Sequence, residues 1–229
     1  MSTVIHEVAD RAIVQARAHD NIVVGDEIVR HRRATRLIHW SVALTFFVAL
    51  FSGMPIWTPI FGWMAALMGG LDVARVIHPW AGVAFFVASV FQFFHWLGDM
   101  KFEPGEKGWF GPKLLSYMRW ETGPSEGEGK YNGGQKVFFY MVNLAALAFL
   151  LTGIPMWFPM NFSSMLRQVC ILLHDITFIL LLVSIIGHIY LGSAAEPGTF
   201  RAITRGTVTR KWAKFHHPGW YRKVTGEKR

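Results

Sequence analysis

Apolar residues in this chain gather into four long runs, near residues 37–58, 76–98, 136–158 and 168–192. Each is long enough to cross a bilayer core as a helix, which takes roughly 20 apolar residues. The first run carries no charge between His39 and Trp57, and the fourth reads ILLHDITFILLLVSIIGHIYLG, with one acid and two histidines. The pattern predicts an all-α integral membrane protein built as a four-helix transmembrane bundle. Little sequence is left for a separate soluble domain. A polar extension (1–33) precedes the helical domain (34–195), and a basic, aromatic tail (196–229) follows it.

The breaks between runs have their own pattern. Ser52-Gly53-Met54-Pro55-Ile56-Trp57-Thr58-Pro59 is similar to Thr152-Gly153-Ile154-Pro155-Met156-Trp157-Phe158-Pro159. Each copy closes an odd-numbered run and is followed by a histidine in the next, His78 or His174. Proline is expected to stop the helix there, and tryptophan suits a membrane interface. The repeat suggests two related helical hairpins. The 60–74 connection is short and apolar, as a segment lying along the interface would be. The loop from Gly98 to Gly129 is polar and rich in Gly, Glu and Pro, and reads as a surface excursion with a short amphipathic stretch, LLSYMRW.

The net charge of +8 changes the picture through where it falls. Six Lys or Arg precede the first run, six lie between Lys101 and Lys136, and nine follow the fourth; of the 23, only Arg75 and Arg167 sit in the other two connections. Basic residues flanking spans stay in the cytoplasm, so both termini and the 2–3 loop are expected inside a bacterial inner membrane. The charge therefore reports topology and lipid contact rather than nucleic-acid binding. The first 30 residues lack the order of a cleaved signal peptide, and the first span is expected to direct insertion.

The single cysteine, Cys170, excludes an internal disulfide and a four-cysteine cluster. No CxxCH, CxxC or HExxH occurs, so covalent c-type haem and the common zinc patterns are excluded. The chemistry falls to histidine. Ionisable and ligating groups inside a span are costly and default to functional hypotheses. With helices alternating in direction, His78 and His174 share the outer level, and His39 and His188 share the inner level. The 14 residues from His174 to His188 rise about 21 Å and turn to within roughly 40° of the starting direction. The two therefore lie on one side of the fourth helix near opposite faces, too far apart to share one metal ion. Two haems fit this spacing, each held by two imidazoles, with both axial positions filled and suited to electron transfer. His95 competes with His39 for the inner level. Histidines that merely hydrogen-bond between helices are the competing reading for any one of the four.

The order RLIHW, VIHPW, KYNGGQK, LLH, GHIY and WAKFHHPGWY, from about Arg33 to Arg222, resembles the cytochrome b556 (gamma) subunit of membrane-bound formate dehydrogenase. KYNGGQK and WAKFHHPGWY are its specific pieces; the membrane histidines alone also fit b cytochromes of hydrogenases and thiosulfate reductases. The resemblance implies two b haems: an inner one on His39 and His188 and an outer one on His78 and His174. It also implies a menaquinone-type or ubiquinone site formed by Asn132, Gly134 and Gln135. An asparagine and free N–H groups at a helix start would offer donors to a quinone carbonyl; a plain helix N-terminus is the simpler alternative. The chain departs from the family in its extension of about 30 residues and in Asp175 beside a ligand, where a carboxyl would either cap the early turns of the helix or sense haem charge.

On this reading an iron–sulfur beta subunit, fed by a molybdenum or tungsten alpha subunit, would deliver electrons to the outer haem. They would cross to the inner haem and reduce quinone with cytoplasmic protons. Formate chemistry would belong to another subunit, since cluster cysteines are absent here. Rival expectations are a cytochrome for hydrogenase or another quinone-linked oxidoreductase, a cofactor-free membrane anchor, and a transporter relaying protons through His and Asp.

Overall fold

A computed structural model describes residues 2–102, 115 and 129–227, with side chains described from residue 7 onward. The expected excursion of the 98–129 loop, LLSYMRW included, falls almost wholly outside the described residues. In order, the chain forms α1 (Ser2–Gln15), β1 (Ile22–Val24), β2 (Glu27–Val29), α2 (Arg33–Trp57), α3 (Gly62–Leu67), α4 (Leu71–Trp96), α5 (Gly133–Trp157), α6 (Ser164–Tyr190), α7 (Phe200–Thr204), β3 (Thr207–Thr209), α8 (Arg210–His216) and α9 (Pro218–Thr225).

The helices α2, α4, α5 and α6, the last extended by a π-helical turn to Ala195, are each long and apolar enough to cross a membrane. Their flanks stay apolar and open: Leu44, Phe91, Leu144 and Val183 are 66, 66, 67 and 65% exposed. Exposed apolar surface on this scale needs lipid around it, and helices satisfy their own backbone there. The expected helical membrane architecture is borne out, with a small sheet added.

The helix ends differ in detail from expectation. Pro55 and Pro155 sit inside the last turns of α2 and α5, which run on to Trp57 and Trp157. A proline near a helix end removes one backbone hydrogen bond where little helix remains to be disrupted. Pro59 and Pro159 instead open short 3₁₀ turns (Pro59–Phe61 and Pro159–Asn161), the first capped by the Thr58 hydroxyl accepting from Ile60 N–H. The helices α4 and α6 also begin early, so His78 lies seven residues after Leu71 and His174 ten after Ser164.

The chain divides into two compact units. One, Ile38–His95 with Tyr140–Ile186, is made of the four helix trunks. Its buried positions mix small and large residues, among them Val42, Phe46, Ala81, Phe85, Val142, Ala145, Ala146 and Leu181. Phe46 and Phe85 meet at 5.7 Å between ring centres. Alanines at helix contacts let backbones approach closely, which is how helices associate in lipid.

The other unit combines Met1–Leu37, Trp96–Phe139 and Gly187–Arg229. Here the polar extension and the tail fold together. The strands order as β1-β2-β3, antiparallel, with Ile28 opposite Val23 on one side and Val208 on the other. Ile28 and Val208 pack with Ala202, Trp212, Ala213, Trp220 and Tyr221, while Val29 packs with Ala12 and Ala16 of α1. Three-residue strands are too short to show alternation in sequence, so this joint was invisible there.

Candidate functional site

His78 and His174, expected as the outer pair, lie within the trunk unit, on α4 and α6. Their ring centres are 6.2 Å apart at 68° between planes. Metal–imidazole bonds of about 2 Å, with roughly 1 Å more from each nitrogen to its ring centre, give about 6 Å between two ligands of one metal. The separation fits two imidazoles that would hold one iron. Among the described residues, no three His, Cys, Asp or Glu side chains gather to hold a bare ion, so a two-nitrogen donor set is what the site offers.

Each ring is held through its Nδ1 by the preceding membrane-length helix. His78 Nδ1 lies 2.9 Å from the Ala49 carbonyl of α2. A carbonyl only accepts, so Nδ1 carries the proton and Nε2 keeps its lone pair. His174 Nδ1 lies 2.8 Å from the Thr152 hydroxyl of α5. That hydroxyl donates to the Ala148 carbonyl at 2.7 Å, so its oxygen accepts from the imidazole N–H. Both rings therefore hold the neutral tautomer that could ligate through Nε2, with the second nitrogen anchored as it is in metal-bound histidines.

The repeat supplies these anchors. Gly53 is where His78 meets α2: a β-carbon there would stand 2.7 Å from His78 Cε1 and 2.9 Å from Nδ1. At Gly153 it would stand 3.9 Å from His174 Cε1, an ordinary contact. Phe149, one turn earlier on α5, lies 4.8 Å from the His174 ring centre. Sequence reading found the repeat and the histidines; Ala49 and Thr152 as their partners escaped it, although both stand in or one turn before the repeat.

The other predicted ligands occupy helix ends. His39 is in the second turn of α2, half-buried, with Trp40 edge-on at 5.3 Å. His188 is in the last turn of α6 and stacks on Phe138 of α5 at 4.4 Å and 7°. His174 is partly buried and Leu181, seven residues on, is 1% exposed, whereas His188 is exposed at the end of the helix. The 14-residue spacing sets His174 and His188 on one side of α6, but only His174 and Leu181 are covered there. His95 is also half-buried, in the last turn of α4.

Asn132, Gly134 and Gln135 come together at the start of α5. Asn132 Oδ1 accepts from Gln135 N–H at 2.9 Å, and Gln135 Oε1 accepts from Asn132 N–H at 3.0 Å. This reciprocal pair is a capping box, with Asn in the cap position. It uses the two amide oxygens and leaves the two side-chain NH₂ groups for another acceptor.

Upstream of that box sits a cluster the sequence reading missed. Arg30 is 2% exposed and lies against the rings of Tyr131, Trp212 and Trp220 at 5.5, 5.1 and 4.9 Å. Its guanidinium donates to the Lys130 carbonyl and to His217 Nε2, the latter at 3.2 Å. His217 Nδ1–H donates to the Gly129 carbonyl at 3.1 Å. Lys130 Nζ reaches Asp20 at 3.0 Å and Asp99 at 3.8 Å. Burial lowers the Arg30 pKa to about 10 and, with Arg30 alongside, holds His217 well below the ordinary histidine value. Lys136, 1% exposed, donates to the Lys101 carbonyl at 2.9 Å. Two charges counted by sequence as topology signals, Arg30 and Lys136, are thus interior. In sequence the signal is faint: an arginine among β-branched residues, far from the tryptophans it meets.

Two neutral imidazoles at this separation on two apolar helices fit the donor set of a b-type haem. The chain belongs to the prokaryotic cytochrome b561 family, whose model matches residues 30–206. It is 35% identical to the formate dehydrogenase cytochrome b556 subunit of Haemophilus influenzae over 200 residues, 86% of this chain and 83% of the relative. It is 33% identical to the formate dehydrogenase cytochrome b556(fdo) subunit of Escherichia coli K12 over 202 residues, 87% of this chain and 94% of that one. The nitrate-inducible cytochrome b556(Fdn) subunit of the same organism is 30% identical over 200 residues, covering 86% and 91%. The resemblance read from RLIHW through WAKFHHPGWY is borne out.

Proposed function

We propose that this chain is the membrane electron-transfer subunit of a formate dehydrogenase, carrying electrons from an iron–sulfur subunit to a quinone on the cytoplasmic side of a bacterial inner membrane. The observation that carries the reading is the His78–His174 pair: two Nδ1-anchored rings at 6.2 Å, on helices that sequence relates to cytochrome b556 subunits. A haem held by two imidazoles would supply one-electron transfer with no coordination position open to oxygen or substrate. The chain's part is to keep both imidazoles neutral, to fix their planes and to exclude water with apolar helices.

The second haem is assigned to His39 and His188, on the strength of the resemblance and of their positions at the helix ends expected inside. Phe138 stacked on His188 would hold that ring's orientation. The quinone is assigned to the start of α5, where the spare amide N–H groups of Asn132 and Gln135 are suited to a quinone carbonyl and Gly134 keeps the approach open. The flanking charges support both termini being cytoplasmic. A catalytic molybdenum or tungsten subunit and an iron–sulfur subunit are the partners this role requires.

The test is haem content and donor-driven reduction of the purified complex. Pyridine haemochrome should give two b haems per chain, formate should reduce both, and hydrogen should not. Absence of haem would leave only a membrane anchor; reduction by hydrogen alone would move the chain to a hydrogenase. Asn132→Asp keeps the cap oxygen and removes the amide donor. It should slow quinone reduction while formate still reduces the haems, and unchanged quinone kinetics would count against the quinone assignment.

A further inference from the structure

The two halves of the repeat treat their histidines differently. Ser52 and Thr152 are equivalent, 100 positions apart, and both are buried. Both hydroxyls donate to the carbonyl four residues back, Val48 at 2.6 Å and Ala148 at 2.7 Å. Yet His78 passes over the Ser52 hydroxyl and takes the Ala49 carbonyl. Gly53 permits this by letting the ring lie against the helix, where any β-carbon would collide. His174 stands further off Gly153 and takes the Thr152 hydroxyl itself at 2.8 Å.

We propose that Thr152 is a positioning residue that sets the ligand strength of His174, making the two axial imidazoles of the outer haem electronically unequal. The proposal rests on the haem reading above. A hydrogen-bond acceptor at Nδ1–H makes the imidazole a stronger donor through Nε2. The Thr152 oxygen is a good acceptor because its own proton is spent on Ala148, and hydrogen bonds in series polarise one another. Stronger donation favours ferric iron and lowers the reduction potential. On the His78 side the acceptor is main chain and cannot be altered by substitution; on the His174 side it is a side chain, so the potential is adjustable there.

The experiment is a redox titration of both haems in the intact complex, with haem content measured alongside. Thr152→Val keeps the shape and removes the acceptor; one of the two potentials should rise while the other stays. Thr152→Ser should return it to the wild-type value, and Thr152→Cys, a weaker acceptor, should fall between. Ser52→Ala is expected to move neither. Potentials that do not follow the order threonine and serine below cysteine below valine would overturn the proposal, as would an equal shift from Ser52→Ala. If the Thr152→Val variant fails to retain haem, the serine and cysteine variants decide the same ordering. An unaltered protein with no haem would instead overturn the haem reading itself.

Discussion

The two compact units solve the problem of interior polar groups in opposite ways. In the trunk unit the polar groups around the two paired histidines are neutral and answered close by: Ser52 and Thr152 by carbonyls one turn back on their own helices, His78 by a carbonyl and His174 by a hydroxyl of another helix. In the other unit charged groups are interior as well, beside neutral ones such as Thr207 and His217. Arg30 lies among Tyr131, Trp212 and Trp220, and Lys130 between Asp20 and Asp99. Neutral, locally satisfied groups suit a lipid-surrounded site that must hold a ligand. Buried charges with aromatic and backbone partners fasten segments that are distant in sequence, here the extension, the start of α5 and the tail. On the proposed reading, the histidines of one unit face a cofactor, whereas the buried charges of the other face each other.

The largest effects should separate the units by cofactor content. His78→Ala and His174→Ala should each remove one haem, and the same one, leaving about half the haemochrome signal. Variants that lose different haems, or none, would break the pairing. Next in size is the contrast between the two glycines. Gly53→Ala forces His78 off α2 and should lose the outer haem or its bis-imidazole spectrum. Gly153→Ala meets only an ordinary contact and should keep both. Equal behaviour of the two alanine variants would remove the asymmetry between the repeat halves.

The parts legible in sequence were those written in periodicity and composition. Four spans, the histidines and the repeat follow from apolar runs and residue identity, which the lipid-facing solution reads almost directly. The pairing of His78 with His174 followed from alternation of helices and appears as a 6.2 Å contact. What stayed hidden was long-range. Nothing near Arg30 announces Trp212 or Trp220, about 180 and 190 positions away, and strands of three residues give no alternation to count. The anchors were hidden for another reason: the Ala49 carbonyl is a backbone group, and no residue identity encodes a backbone acceptor.

Smaller effects should confine themselves to the second unit. Arg30→Met removes the donor to Lys130 and His217 and leaves their acceptors buried, a loss on the order of 3 kcal/mol that should appear as a lowered Tm. The haem on His78 and His174 should survive at temperatures below that transition. If Arg30→Met instead releases haem from the folded protein, the two units are not separable in this way.

The smallest effect concerns acid. His217 is buried neutral, its Nε2 accepting from Arg30 and its Nδ1–H donating to Gly129, so protonation would set a cation beside a guanidinium. Its folded pKa lies well below the ordinary 6.5, from burial first and Arg30 second. The unfolded chain therefore binds this proton as pH falls through about 6.5, while the folded chain does not, and stability must decline below that point. One such group contributes at most about 1.4 kcal/mol per pH unit. Tm measured between pH 7.5 and 5.5 should fall for the wild type. The fall should be shallower for His217→Gln, which offers a donor and an acceptor without titrating. A pH slope unchanged by that substitution would show that His217 is not the titrating group, and His216, whose pKa burial also lowers, would be the next residue to replace.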